Sequence, residues 1–165
     1  MKHSLLLYIL IISIVSLSSA PIHSAENMEP KINLRPYCKI VTLSEAEEIA
    51  DIVIHEKKFN QGFFGHSIIN HDYEENIIDD DNIVIDHATG LMWHQSGSFK
   101  NISWKSAKRW VIKLNENGYA EFTDWRLPTL EEAVSLLEPS AKNGTQFIDL
   151  AFDKTQSSVW TCDSN

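Results

Sequence analysis

Lys105, Lys108, Arg109 and Lys113 recur at spacings of three, one and four, with Lys100 just ahead, so a helix would gather the four nearly on one side. Ammonium and guanidinium groups collected in this way suit the sulfates or carboxylates of a polyanion; the plainer outcome is an ordinary solvated helix face. Trp110 lies off the apolar stripe of the same stretch. It is therefore the tryptophan expected at the surface, where an aromatic face can take the apolar side of a sugar ring. The planar fork of Arg126 also suits sulfate or carboxylate, yet with Asp124 two residues before it and a helix start beyond, it is expected to brace a core acid instead. Asp79-Asp80-Asp81-Asn82 groups oxygen-bearing side chains of the kind hard cations prefer. It lacks the glycine turn and distal glutamate of a calcium loop, so a solvated acidic turn is expected there. His66, His71, His87 and His94 share no zinc spacing on one element, and no nucleophile, base and orienting acid can be assembled from the sequence. The expectation is a protein that binds rather than catalyses, with no catalytic residue, metal ligand or cofactor assigned. Asn101-Ile102-Ser103 and Asn143-Gly144-Thr145 fit the glycosylation sequon, which matters only in a host that uses it.

These groups need elements to position them. Asp124-Trp125-Arg126-Leu127-Pro128-Thr129 with Glu132 joins extended chain to a helix: Pro128 keeps Leu127 extended, Thr129 accepts from the first free amides, and Glu132 reaches back to the Thr129 amide. The helix it starts carries Leu130, Ala133, Val134 and Leu137 at helical spacing and stops before Pro139. Ser103 caps the helix that holds the cations, with Trp104, Ala107, Val111 and Leu114 as its core side and Asn117-Gly118 as its end. Residues 83–85 and 91–93 are β-branched or large and apolar. They flank His87-Ala88-Thr89-Gly90, which predicts a hairpin braced by Asp86, with Gly90 at positive φ and Trp93 on the second strand. Farther upstream, Ser44 and Glu47 suggest a capping box opening a helix over 44–58. Residues 60–82 read as loop with one short strand, anchored to the core by Phe63, Phe64, Ile68 and Ile69.

The first 25 residues have the form of a secretion signal, because an uncharged, mostly apolar run follows Lys2 and leads to small residues. The run is short for a membrane span, so cleavage is expected ahead of the alternative, an uncleaved N-terminal anchor; cleavage would leave no stable span in a secreted or periplasmic protein. Residues 1–25 hold one lysine and no acid, so their loss moves the formal charge from −9 to −10. Such acidity disfavours nucleic acid, whose binding relies on clustered Lys and Arg. Residues 26–42, with Pro30 and Pro36, read as a linker, 43–76 as a helical lead-in and 77–165 as the main domain. Cys38 and Cys162 either form one long-range bridge in the oxidising compartment or remain two free thiols.

Asp86-His87-Ala88-Thr89-Gly90-Leu91-Met92-Trp93, the Trp104/Ala107 helix, and Asp124-Trp125-Arg126-Leu127-Pro128-Thr129 with Glu132 occur in that order. Together they resemble the Lcl C-terminal domain family over about residues 77–163. Trp104, Ala107, Trp110 and Arg126-Leu127-Pro128-Thr129 are also similar, more distantly, to the formylglycine-generating and sulfatase-modifying group. That resemblance implies a C-type-lectin-like α+β fold, with two or three helices on short irregular antiparallel sheets. It does not carry the enzymatic role, which rests on cysteine chemistry that Cys38 and Cys162 do not match. The family is named for the C-terminal domain of a collagen-like adhesin that recognises sulfated glycosaminoglycans, so a surface or matrix polysaccharide is the ligand implied. The resemblance also implies further strands after an element like Trp160-Thr161. Without them the sheet would be incomplete and open to a partner envelope protein, which is the alternative to glycan binding.

Overall fold

The computed structural model describes residues 14–16, 32–49, 51–57, 62–98, 100–154 and 158–164. The leader expected over 1–25 lies outside these apart from 14–16, as do residues 26–31 of the expected linker. In chain order the elements are β1 (Ile14–Ser16), α1 (Leu43–Glu47), β2 (Ile52–Lys57), β3 (Gly62–Ser67), β4 (Tyr73–Ile78) and β5 (Asp81–Asp86). They continue with β6 (Leu91–His94), α2 (Trp104–Asn117), a 3-10 turn (Tyr119–Glu121) and α3 (Leu130–Ser135). The result is a small α+β fold with three helices and short antiparallel sheets.

The expected hairpin is present and central. Asp86 pairs with Leu91 and Ile83 with His94, leaving 87–90 as the turn, with Gly90 at φ 68°. β4 lies along the other side of β5, from Tyr73 opposite Asp86 to Ile78 opposite Asp81. Only Asp79 and Asp80 connect them, both at positive φ (49° and 66°), as a two-residue turn between twisted strands requires. β1 adds to the outer edge of β6, giving the order β1-β6-β5-β4, and β2 and β3 form a separate two-stranded ribbon.

Two upstream expectations are corrected. The helix predicted over 44–58 is cut to α1, whose capping box is Thr42 with Glu45 rather than Ser44 with Glu47. Asp51 at φ 61° turns the chain, and β-branched Ile52, Val53 and Ile54 pair with Ser67, His66 and Gly65. Cross-strand pairing thus outweighs the local helical pattern. The stretch 60–82 holds two strands, β3 and β4, rather than mostly loop. Ile69 is half-buried, but Ile68 is 63% exposed and anchors nothing, because its amide is turned to the Asp51 carbonyl at the end of β3.

The four-stranded sheet separates two cores. Val84, Leu91 and Trp93 pack with Ala133, Val134 and Leu136 of the α3 region and with Ile148, Phe152 and Val159. On the opposite face Ile83 and Met92 pack with Ala107, Val111 and Leu114 of α2 and with Trp125 and Leu127. β6 contributes to both, and all four of its residues are buried.

Cys38 and Cys162 form a disulfide. Around it, residues 35–41 are strapped to 162–164: the Val41 amide donates to the Ser164 carbonyl at 2.8 Å, and the Arg35 guanidinium pairs with Asp163 at 2.6 Å. Asp163 also accepts from the Leu130 amide at 2.6 Å, so the strap reaches the first residue of α3. Burial pushes the Asp163 carboxyl upward, but bonds from Arg35, Leu130 and Lys39 outweigh it and hold the group below its usual value.

The disulfide closes 124 residues of chain, for which loop entropy gives about 5 kcal/mol of stabilisation. The double variant Cys38→Ser/Cys162→Ser should lose roughly that much in urea unfolding. A loss under about 1 kcal/mol would mean that the strap is held by Arg35, Asp163 and the backbone bonds alone.

Candidate functional site

Three groups of side chains merit functional scrutiny. The first is the motif 124–132. Thr129 accepts from the Glu132 amide at 3.2 Å and Glu132 Oε2 accepts from the Thr129 amide at 2.8 Å, completing the expected capping box. The same carboxylate receives the fork of Arg126, at 2.8 Å from one guanidinium nitrogen and 2.6 Å from the other. Glu132 is fully buried and Arg126 half-buried, so Arg126 is the expected core brace and its fork is already engaged. Asp124 is exposed, Pro128 is buried and Trp125 is 2% exposed.

Asn115 holds Trp125 in place. Its side chain accepts from the Trp125 amide at 2.7 Å and donates to the Trp125 carbonyl at 2.9 Å, so the last turn of α2 clamps the approach to α3. Beside Asn117-Gly118, Asn115 looks in the sequence like part of a helix end, and only the fold reveals its role.

The second group surrounds Asp86. This carboxylate is fully buried and accepts from His71 Nδ1 at 2.7 Å, from the Ala88 amide at 3.1 Å and from the Thr89 hydroxyl. The predicted brace of the turn is therefore present, with His71 as a partner the sequence did not indicate, fifteen residues upstream. Burial pushes the Asp86 carboxyl upward; the His71 bond and charge, then Thr89 and Ala88, bring it below its usual value. His71, Asp86 and Thr89 resemble a relay only in composition. Thr89 donates to Asp86 rather than to the imidazole, and His71 Nε2 donates to the Ser135 carbonyl at 2.8 Å, so neither ring nitrogen faces a substrate.

The third is the outward face of α2. Ser103 caps the helix by accepting from the Ser106 amide, and Gly118 ends it at φ 65°. Ala107, Val111 and Leu114 face the core as expected, whereas Lys105, Lys108, Arg109, Ile112 and Lys113 are exposed. Two tryptophans exchange their expected places. Trp104 is 39% exposed: its indole donates to the Thr161 carbonyl at 3.1 Å, and Lys108 Nζ lies 3.6 Å from its ring centroid. Trp110 is half-buried and packs at 5.1 Å on His94.

Charge is distributed unevenly around the molecule. Arg35, Lys39, Arg126 and Lys142 each pair with a carboxylate. Among the described residues, none of Lys105, Lys108, Arg109 and Lys113 has such a partner, although acids outnumber bases in the chain by 23 to 14. The acidic turn is occupied in another way: Asp79 and Asp80 form the exposed tip, and Asp81 accepts from the Ala120 amide at 2.8 Å. Of the two sequons, Asn101 is exposed, while buried Asn143 donates to the Phe152 carbonyl at 2.6 Å.

His94 is the most strongly displaced base. It is stacked at 4.4 Å on Tyr119 and accepts from the Gly97 amide through Nδ1; burial pushes its pKa down to about 4 from 6.5. The folded ring stays neutral where the unfolded ring takes a proton, so stability falls as pH drops from 6.5 to about 4, by about 3 kcal/mol in all. His94→Asn keeps an acceptor near the Nδ1 position but takes no proton. Urea unfolding should show a smaller loss between pH 7 and 4 than in the unaltered chain; parallel curves would show that His94 contributes nothing to it.

No curated protein and no solved structure matches the chain. The Lcl C-terminal domain family matches residues 82–165, from the second residue of β5 through the braced hairpin, α2, the Arg126–Glu132 motif and α3. With that match covering half of its length, the chain belongs to the Lcl C-terminal domain family.

Proposed function

We propose that this chain is an exported, non-catalytic binding module with a C-type-lectin-like fold, and that it recognises an anionic polysaccharide of the sulfated glycosaminoglycan kind through the outward face of α2. The observation that carries the reading is the set of four cations on one helix side of an acidic protein that have no carboxylate partner among the described residues. Intramolecular pairing would discharge them most simply, and it is used at Arg35, Lys39, Arg126 and Lys142. Left unpaired, the four raise the local potential enough to attract a polyanion that the rest of the surface repels. Trp104, exposed beside Lys108, adds an aromatic edge to the same face, and Ile112 adds an apolar contact within it. The family's adhesin member, which recognises sulfated glycosaminoglycans, supports this choice of ligand. A protein-interaction role draws on a different surface, the outer edge of β6.

Heparin-agarose with a salt gradient tests the glycan reading. The unaltered chain should be retained, and Lys105→Ala/Arg109→Ala should bind about tenfold more weakly, the order expected of two exposed contacts worth up to about 1 kcal/mol each. Lys39→Ala/Lys142→Ala removes the same charge from paired sites and should elute with the unaltered chain. Flow-through of the unaltered chain, or equal weakening by both double variants, rejects the α2 face as the site.

A further inference from the structure

β6 has the environment of an interior strand and the neighbours of an edge strand. Its four residues are buried, with Leu91 and Trp93 in the core on the α3 side and Met92 in the core on the α2 side. β5 pairs along its whole length on one side. On the other side, among the described residues, its backbone pairs with the three residues of β1, with Ile14 opposite Trp93, Val15 opposite Met92 and Ser16 opposite Leu91. A strand apolar on both faces needs partners along both edges, since unpaired amides and carbonyls there would be left without acceptors and donors. β1 also lies inside the stretch that the sequence assigns to a cleaved leader.

We infer that the outer edge of β6 is a strand-acceptor site, and that its occupant in the exported protein is an extended aliphatic segment of another protein, added antiparallel to β6. The inference rests on the export reading, because removal of the leader takes β1 away. The chemistry of the occupant follows from the register. A residue opposite Trp93 lies on the α3-side face and one opposite Met92 on the α2-side face, so consecutive positions of the incoming strand both meet apolar core. An alternating polar strand would bury polar groups on one face. An uncharged β-branched run meets both faces, and Ile14-Val15 is such a run by residue type. The orientation is the antiparallel one that β1 takes. The glycan face on α2 belongs to a separate element, so the two sites can fail independently.

The test uses the leader-processed protein exported from cells, its first residue established by mass spectrometry, and a fluorescent peptide with the sequence of residues 11–18. Anisotropy should show saturable binding. A peptide carrying Val15→Pro, which lacks a ladder amide, should bind at least about tenfold more weakly. The unprocessed chain, which retains residues 14–16, should also bind at least about tenfold more weakly. Hydrogen exchange should show peptide-dependent protection at the amides of Met92 and His94, which alternate with those bonded to β5. Absence of binding to the processed form, equal binding by the unprocessed chain, or protection elsewhere overturns the inference. Two further results overturn it as well: recovery of only the unprocessed chain, in which β6 keeps its own β1, and a dimer paired through β6, in which a second copy is the occupant. Heparin retention is read separately, so a failure at β6 leaves the α2 reading standing.

Discussion

Asp86 is a carboxylate with no exposed surface, and a buried charge is tolerated only where hydrogen bonds and an opposite partner replace its water. Those partners come from two places, and one of them reaches a third. Ala88 and Thr89 belong to the β5–β6 turn, His71 precedes β4, and His71 in turn reaches the Ser135 carbonyl at the end of α3. Meeting the needs of one side chain thus fixes the hairpin, the approach to β4 and the seat of α3 together. Each face of the β5–β6 pair can then take a helical layer. Arg126 and Glu132 repeat the device at the other end of α3, where a second buried carboxylate is compensated by a guanidinium and by the capping amide.

Most features set by neighbouring residues were legible in the sequence, the α1 capping box of Thr42 and Glu45 excepted, and features set by distant ones were not. The capping box of Thr129 and Glu132, the Ser103 cap, the Gly118 end and the Asp86–Gly90 turn all depend on residues within a few positions of one another. Each appears where local chemistry demands it. The helix expected over 44–58 failed because Ile52, Val53 and Ile54 are β-branched and pair with Ser67, His66 and Gly65 on the next strand. His71 and Asn115 escaped notice for the same reason: each binds a group ten or more residues away, and neither carries a local mark of it.

The candidate face was half legible. Helical spacing placed Lys105, Lys108, Arg109 and Lys113 on the exposed side of α2. It could not say that these four, unlike Arg35, Lys39, Arg126 and Lys142, would find no carboxylate among the described residues. The tryptophans show the limit from the other direction. Trp104 shares the helical stripe of Ala107 and Val111, yet it stands in the first turn, where its indole reaches the Thr161 carbonyl and its ring receives Lys108. Trp110 sits at the margin of the stripe but is drawn in by His94.

A division of labour follows from where the strong pairings fall. The motif that marks the domain, Asp124 to Glu132, commits its guanidinium to its own carboxylate and its tryptophan to the Asn115 side chain of α2 and the Tyr119 carbonyl. No group in it except exposed Asp124 is left to meet a ligand in solution. α2 is different: the amphipathic pattern that commits Ala107, Val111 and Leu114 to the core leaves Lys105, Lys108, Arg109 and Lys113 on the opposite side with no carboxylate partner among the described residues. Its residues can change without disturbing Asp86, Glu132 or either core. A scaffold held by buried pairs and a helix side free of them is an arrangement in which recognition can vary while the fold does not. On the proposal that recognition uses the α2 face and the β6 edge, different ligands within this family should correspond to differences there, not to differences in the motif.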